Sequence, residues 1–229
     1  MKKGDFRKQE ILKTAEALFC QKGFQQTSIQ DILDMMNSSK GSFYHHFDSK
    51  EALLEAICGK RAEQIHHSVI SCIDHSNGFV HNLNILLSGM IPFRDEKLTF
   101  LLMLLPILDQ PDGKLVGLYY CDALSGLFLP DVTQLLQSDL SHGYYCSEPA
   151  VTADLILSLV NRLWVLICKI IISAEKKKSE PDNSEILQTT ETYRTAIERI
   201  LSLPYGSIEL VDIPTIRALC EQIHKHWPQ

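Results

Sequence analysis

Apolar residues recur along this chain with the spacing of α-helices rather than with the alternation of β-strands. Near the N-terminus the first apolar stripe consists of Ile11, Leu12, Ala15, Leu18 and Phe19. Lys22 and Gly23 then place a cation in the last turn and a glycine just beyond it, which is a helix stop. The pattern therefore predicts a first helix that ends near residue 22.

Three further helices follow at short intervals. Residues 27–30 read as a capping box in which the Thr27 hydroxyl binds a backbone N–H and Gln30 reaches back, so a second helix is expected from there to about Met36. Residues 37–39 form a turn with its own N-cap, and a third helix of about two turns covers 40–46. A cap at 48–51 opens a longer helix that ends near 73.

The rest of the chain continues the helical pattern. Helices are expected at about 79–91, 95–108, 114–128, from Pro130 onward, 150–174, 185–202 and around 216–223. No strand hairpin is evident, so the fold class is all-α. Within 155–174 lie Asn161, Arg162 and Lys169, which are costly in a bilayer, so this apolar segment is expected in a bundle or a subunit interface and not in a membrane.

The charge of the chain is unevenly distributed. The 229 residues carry a net charge of −6, yet residues 1–62 sum to +2 and the remainder to −8. The seven cysteines are odd in number and show no C-x-x-C pair, which argues against a disulfide framework or a zinc module and favours a reducing cytoplasm. A mildly basic head joined to an acidic body keeps nucleic acid open as a partner.

The second and third helices, with a tight turn between them, predict a helix-turn-helix (HTH) at about 28–47. The side of the third helix away from Phe43 and Phe47 is polar, and a helix of this size fits the major groove of DNA, which is about 12 Å wide. Lys40 can donate to guanine, and Gly41 lets the backbone come close to the bases. Ser38, Ser39 and Tyr44 supply hydrogen bonds suited to phosphate oxygens.

The order of these residues resembles the DNA-binding domain of the TetR family of bacterial transcriptional regulators. The shared features are Phe19, Gly23-Phe24 ahead of Thr27, the run G-x-F-Y-x-H-F at 41–47, and K-E-x-L-L at 50–54. The resemblance covers about the first quarter of the chain. It implies an HTH domain at 1–62 and a larger helical effector-binding and dimerisation domain at 63–229.

The resemblance also implies a role for each matching residue. Lys40, Gly41 and Ser42 are expected to approach bases, and Phe43 and Phe47 to lie in the core. Contacts with the phosphate or sugar backbone are expected from Thr27, Ser28, Ser38, Ser39, Tyr44, His45 and Lys50. From the residues alone, Thr27, Ser38 and Ser39 could be plain helix caps, or could cap and touch DNA at once. Tyr44 could be a half-buried core aromatic and Lys50 an ordinary solvated lysine.

The body is rich in large apolar side chains that could line a pocket for a small hydrophobic effector. The candidates are Met90, Phe93, Phe100, Met103, Tyr119, Tyr120, Phe128 and Trp164. Plain core packing is the alternative for each of them. Effector binding is expected to move the helix after Lys50 and so to weaken DNA binding.

The helices at about 150–174 and 185–202 are expected to form a homodimer. Their apolar residues recur at alternating spacings of four and three, typical of a helix-packing seam. The two seams consist of Leu155, Leu159, Leu163, Ile167 and Ile170, and of Ile186, Thr190, Tyr193, Ile197 and Ile200. A purely intramolecular core is the alternative.

The sequence thus predicts a ligand-responsive regulator, most simply a repressor released from a palindromic operator in double-stranded DNA of a bacterial cytoplasm. An activator, a DNA-binding protein that senses nothing, and a helical adaptor remain alternatives. An enzyme is not expected, since no G-x-S-x-G, phosphate-binding glycine loop or H-E-x-x-H motif occurs, and no cofactor or metal is implied.

Overall fold

The computed structural model describes residues 3–74, 76–93, 95–108, 113–138 and 148–226. In these ranges the chain is all helical, without a β-strand. The helices are α1 (Lys3–Lys22), α2 (Ile29–Met35), α3 (Lys40–Tyr44), α4 (Lys50–Ile70), α5 (Phe79–Met90), α6 (Asp95–Leu108), α7 (Gly113–Ser138), α8 (Pro149–Lys176), α9 (Asn183–Ile200) and α10 (Ile213–His226). The all-α prediction is confirmed.

The first three helices pack with the start of α4 into a small N-terminal bundle. Gly23 ends α1 with a positive φ of 81°, a conformation that glycine adopts without strain. Ser39 and Ser49 accept hydrogen bonds from backbone N–H groups at the starts of α3 and α4. Both caps lie where the sequence predicted them.

The larger part of the chain is built around α7 and α8. Helix α4 continues from the N-terminal bundle and packs most extensively on α7, which in turn packs on α8, and α9 lies against α8. Helix α8 is long and apolar enough to cross a membrane by length and composition alone, but 56% of its most apolar window is buried inside the structure. Its Asn161 is buried and hydrogen-bonded to α7, consistent with a bundle helix.

The prediction that Pro130 starts a new helix is wrong, because α7 runs through it without a break. Pro130 has no N–H to donate to the carbonyl of Gly126, four residues earlier. Both residues are exposed, so water can satisfy that carbonyl and the helix tolerates the proline.

The segment after α9 forms a strap between α5 and α9 that leads into α10. The Asn84 side chain of α5 donates to the Ser207 carbonyl and accepts from the Glu209 N–H, both at 2.9 Å. The buried Glu198 of α9 accepts from the Ile208 N–H at 3.1 Å. These bonds hold α10 on the outer side of α6 and α8, where its apolar face is covered.

Candidate nucleic-acid interface

Helices α2 and α3 form a helix-turn-helix whose inner side is fixed by aromatic packing. Phe43 of α3 is fully buried, and the Phe47 ring centre lies 6.0 Å from it just beyond the helix. Ile32 and Leu33 of α2 are buried in the same core. With these side chains inside, α3 offers its opposite side to solvent.

A serine and an aspartate fix the start of α2. The Ser28 hydroxyl accepts from the Asp31 N–H at 3.0 Å, and the Asp31 carboxylate accepts from the Ser28 N–H at 2.7 Å. The capping box predicted for Thr27 and Gln30 is therefore wrong by one residue. The Gln30 amide instead donates to the Asp34 carboxylate, one turn further along.

The same aspartate ties α2 to the end of α1. Lys22 Nζ lies 2.9 Å from Asp31 Oδ1. The hydrogen bond from Lys22, together with those from Ser28, holds the pKa of Asp31 far below its ordinary value. The charge of Asp31 thus orients the HTH within its domain.

Thr27 is buried, and this overturns its predicted phosphate contact. Its side chain is fully inaccessible. The hydroxyl donates to the Gly23 carbonyl at 2.8 Å and lies 3.3 Å from the Leu18 carbonyl, both at the end of α1. Because the Gly23 carbonyl lies beyond the last helical residue and has no helical donor, the threonine side chain completes the end of α1, and its burial keeps it from DNA.

The other hydroxyl and polar residues of the motif lie mostly at the surface. Tyr44 is 52% exposed, and its ring meets the buried Phe43 edge-on at 5.4 Å. Tyr44 is therefore a surface residue and not the half-buried core aromatic that was the alternative. The remaining exposed candidates are Ser28, Ser39, Lys40, Gly41 and His45, while Ser38 is half-buried.

Ser42 differs from its neighbours because it faces α1. It is half-buried, and its hydroxyl accepts from Arg7 Nε at 3.4 Å. Of the three residues expected to approach bases, Lys40 and Gly41 are exposed, whereas the Ser42 side chain is engaged within the protein. Sequence reasoning missed Arg7, although the density of lysine and arginine at the N-terminus was a signal for it.

The Lys50 side chain is hydrogen-bonded within the protein and is not an ordinary solvated lysine. Its ammonium donates to the carbonyls of Phe24 at 2.9 Å and Thr27 at 3.1 Å, and it lies 4.3 Å from the centre of the Phe24 ring. Burial lowers its pKa. Two of its three donors serve the turn between α1 and α2, so Lys50 holds α4 against that turn, and the phosphate contact implied for it stays a prediction.

Cations gather beside the exposed side of α3. The pKa of His46 is lowered by partial burial and then by the neighbouring charges of His45, Lys8 and Arg7. Lys8 also lies 5.7 Å from the centre of the Phe47 ring. Two helices thus contribute positive charge to one surface, which is the electrostatic pattern of a DNA-binding face.

Residues 11–57 match the family model described as bacterial regulatory proteins, tetR family. The N-terminal domain of this chain is thus similar to the DNA-binding domain of the TetR family. The matched range spans α2, the turn and α3, together with the parts of α1 and α4 that pack against them. The buried and exposed positions found above are therefore those of a TetR-family HTH.

The curated relatives match mainly this domain. The chain is 52% identical over 52 residues to the HTH-type transcriptional regulator YerO of Bacillus subtilis (strain 168), covering 23% of this chain and 18% of YerO. It is 43% identical over 51 residues to the HTH-type transcriptional repressor KstR2 of Rhodococcus jostii (strain RHA1), covering 22% and 25% of the two chains. The aligned segments span about a quarter or less of these relatives.

The chain also has the fold of a solved protein described as a putative tetR family transcription regulator from Shewanella sp. PV-4, with a TM-score of 0.56 over 83% of this chain and 97% of that chain at 18% sequence identity. The crystal structure of RolR in complex with its ligand resorcinol matches with a TM-score of 0.56 over 95% of this chain and 94% of RolR. Sequence identity between the two is 12%, so this likeness concerns the fold. An N-terminal HTH domain joined to a larger helical domain is thus confirmed.

In the larger domain, the predicted effector residues lie in a closed aromatic core. The Tyr120 ring meets Phe100 at 5.2 Å and Trp164 at 6.0 Å, both edge-on. Tyr120 is fully buried, and its hydroxyl has no hydrogen-bond partner among the described residues. Met90, Phe93, Met103 and Phe128 are buried as well, while Tyr119 is half-buried.

Arg61 of α4 connects this core to the HTH domain. Its guanidinium donates to Glu16 of α1 and lies 5.9 Å from the centre of the Phe100 ring. The adjacent Lys60 donates to Gln9 of α1 at 2.6 Å. Helix α4 is thus fastened to α1 on one side and touches the aromatic core on the other.

The predicted dimer seams are partly buried within one subunit. Leu163, Ile167, Ile186 and Ile197 have no exposed surface, and Thr190 is buried too, because they pack between α8, α9 and the rest of the domain. The interpretation of these five residues as subunit contacts is therefore wrong. Many other residues of α8 and α9 remain exposed or half-buried, among them Val151, Leu155, Leu159, Val165, Leu166, Ile170, Leu187, Thr192, Tyr193, Ala196 and Ile200.

Proposed function

We propose that this protein is a DNA-binding transcriptional repressor of the bacterial cytoplasm that acts as a homodimer and acts by binding, not by catalysis. The observation that carries the proposal is the exposed side of α3, where Lys40, Gly41 and Tyr44 stand free of the core between the cations of α1 and the caps of α2 and α3. KstR2 is named a repressor, which supports the direction of regulation.

We assign the contacts with DNA from the solvent exposure of the HTH side chains. Lys40 and Gly41 approach base edges in the major groove. The backbone of the DNA meets hydroxyls and cations at the rim of the motif, namely Ser28, Ser38, Ser39, Tyr44, His45 and, as an addition, Arg7. Ser42 acts indirectly, by fixing α3 in place, whereas Lys50 both holds α4 in place and offers its remaining donor to a phosphate.

We assign DNA binding to an HTH domain at residues 1–62. Effector binding and dimerisation belong to a larger domain at residues 63–229. The boundary falls inside α4, so a shift of this helix reaches both parts. The exposed apolar residues of α8 and α9 are the proposed contact with a second copy, which sets the distance between the two α3 helices.

The effector proposed is a small hydrophobic molecule that carries one hydrogen-bonding group. It would lie among the eight aromatic and methionine residues named above and bind the Tyr120 hydroxyl, whose burial without a partner costs about 1–3 kcal/mol. RolR was solved with resorcinol, so this fold can hold a small aromatic ligand. Strain at Phe100 would pass through Arg61 to α1, and a coupling of about 1–3 kcal/mol is typical of such sites.

Selection of bound DNA from a random pool with the purified full-length protein tests the proposal. A palindromic site is expected, because two symmetry-related α3 helices read two equal half-sites. Affinity should also fall steeply with added salt, as phosphate contacts release counterions. Absence of any enriched sequence would contradict the proposal, and a deletion strain that loses transcription of the adjoining genes would make the protein an activator.

A further inference from the structure

A cavity lies at the C-terminal end of α4, away from the HTH. It has a volume of about 220 Å³, is lined by the end of α4, by α5 and by the last turns of α7, and is open to solvent on one side. Its walls are apolar, formed by Ile70, Ile73, Leu86 and Leu135. A cavity of about 150 Å³ is known to hold benzene, so this one is large enough for a ring with a short substituent.

Asn82 lines this cavity and is 2% exposed. Its amide nitrogen donates to the carbonyls of Asp74 at 2.9 Å and Asn77 at 3.3 Å. Because both neighbours can only accept, the nitrogen must face them and the side-chain oxygen must face the other way. That oxygen is buried and has no hydrogen-bond partner among the described residues.

Asp131 supplies a negative charge to the same cavity. Its carboxylate lies 2.6 Å from His66 Nε2 of α4, with 32% of its side chain exposed. Among the described lining residues there is neither lysine nor arginine, and the other polar groups are the exposed Gln134 and Ser138, which mark the opening. The polar side of the cavity therefore favours a group that donates hydrogen bonds and carries positive charge.

We propose that this cavity is a binding site for a small cationic amphiphile, a primary ammonium on an aromatic or short aliphatic body. The ammonium donates to Asn82 Oδ1 and to the Asp131 carboxylate. The hydrocarbon body fills the space between the four apolar side chains. This site is separate from the aromatic core around Tyr120 and does not depend on DNA binding.

Benzylamine is a suitable probe because it is protonated at neutral pH and has the size of the cavity. Its binding to the full-length protein is measured by NMR titration, with benzyl alcohol as the neutral match. We expect saturable binding of benzylamine, contacts of its ring with the methyl groups of Leu86 and Leu135, and binding about tenfold tighter than that of benzyl alcohol, as for a charge-assisted hydrogen bond.

Three variants locate the site. Ser138→Trp blocks the opening from an exposed position and should abolish binding, whereas Gln137→Trp, its exposed neighbour outside the lining, should leave binding unchanged. Asp131→Asn keeps the shape and should remove the preference for benzylamine over benzyl alcohol. Unsaturable binding, equal affinities for both probes in the unmodified protein, or benzylamine binding unaffected by Ser138→Trp would each overturn the proposal.

Discussion

Single hydroxyl groups determine much of the HTH geometry, and two adjacent hydroxyl residues can differ completely in burial and in role. Thr27 and Ser28 are adjacent in the sequence, yet Thr27 is fully buried and Ser28 is exposed. The sequence predicted a phosphate contact for both and a helix cap for Thr27, whereas the structure places the cap at Ser28. The direction of the chain as it leaves Gly23 decides between them, and this direction depends on tertiary packing rather than on local pattern.

Replacing Thr27 by valine should destabilise the protein without a direct effect on DNA. The change keeps the shape but leaves the Gly23 carbonyl without its donor, at a cost of about 1–3 kcal/mol. Chemical denaturation measures this loss, and Thr27→Ser, which retains the hydroxyl, should recover most of it. Unchanged stability with weakened DNA binding would restore the phosphate role.

Replacing Lys40 by alanine should relax base preference. If Lys40 binds a guanine edge, the discrimination lost is about 1–3 kcal/mol at one or two positions of each half-site. Binding to a panel of single-base variants of the selected site measures it. Lys177→Ala removes an equal charge from the exposed end of α8 and serves as the control; identical profiles for the two variants would refute the base contact.

Buried thiols offer an independent check on the core. Burial raises the pKa of Cys58 and of Cys121 to about 12, so both remain protonated and unreactive at pH 8. Cys72 is exposed. Alkylation followed by mass spectrometry should therefore modify Cys72 in the native protein and Cys58 only after unfolding, whereas rapid native labelling of Cys58 would show an open core.

At the scale of the element, helical periodicity located the helices but not all of their ends or faces. The bounds of α5 and α6 agree with those predicted, because their apolar stripes stop at recognisable breaks. The continuity of α7 through Pro130 could not be predicted, since it depends on exposed backbone that water can bond. Likewise, α9 has apolar positions on two sides, and only packing reveals which side the rest of the subunit covers.

The close packing of α4 against α5 predicts how a single substitution between these two helices changes the stability of the protein. A Cβ atom on Gly89 would lie 2.5 Å from Val69 Cγ2, so Gly89→Ala must push the helices apart, at a cost of about 1–3 kcal/mol. Gly126→Ala is the control, because a Cβ atom on Gly126 would have no atom within 4 Å. In this exposed part of α7 the change should raise the free energy of unfolding by about 0.5–1 kcal/mol. Thermal unfolding of both variants measures the difference; equal melting temperatures would contradict the close packing.

At the scale of the whole molecule, the uneven charge has a structural counterpart. The net positive segment 1–62 contains the HTH and the cations of α1 beside α3, whereas the net negative remainder forms the body. The sequence could predict this division and the HTH because both depend on local motifs. It could not predict the partner-facing residues of α8 and α9 or the cavity at Asn82, since these depend on which surfaces the folded subunit leaves uncovered.

Hydroxyl-radical footprinting on the selected DNA tests the central claim most directly, namely that a dimer reads DNA with two copies of α3. The full-length protein should protect two equal patches on one face of the duplex, separated by about one helical turn of 34 Å or by a whole number of turns. Replacing one half-site should remove the matching patch and weaken binding. A single patch, or protection independent of sequence, would contradict the account.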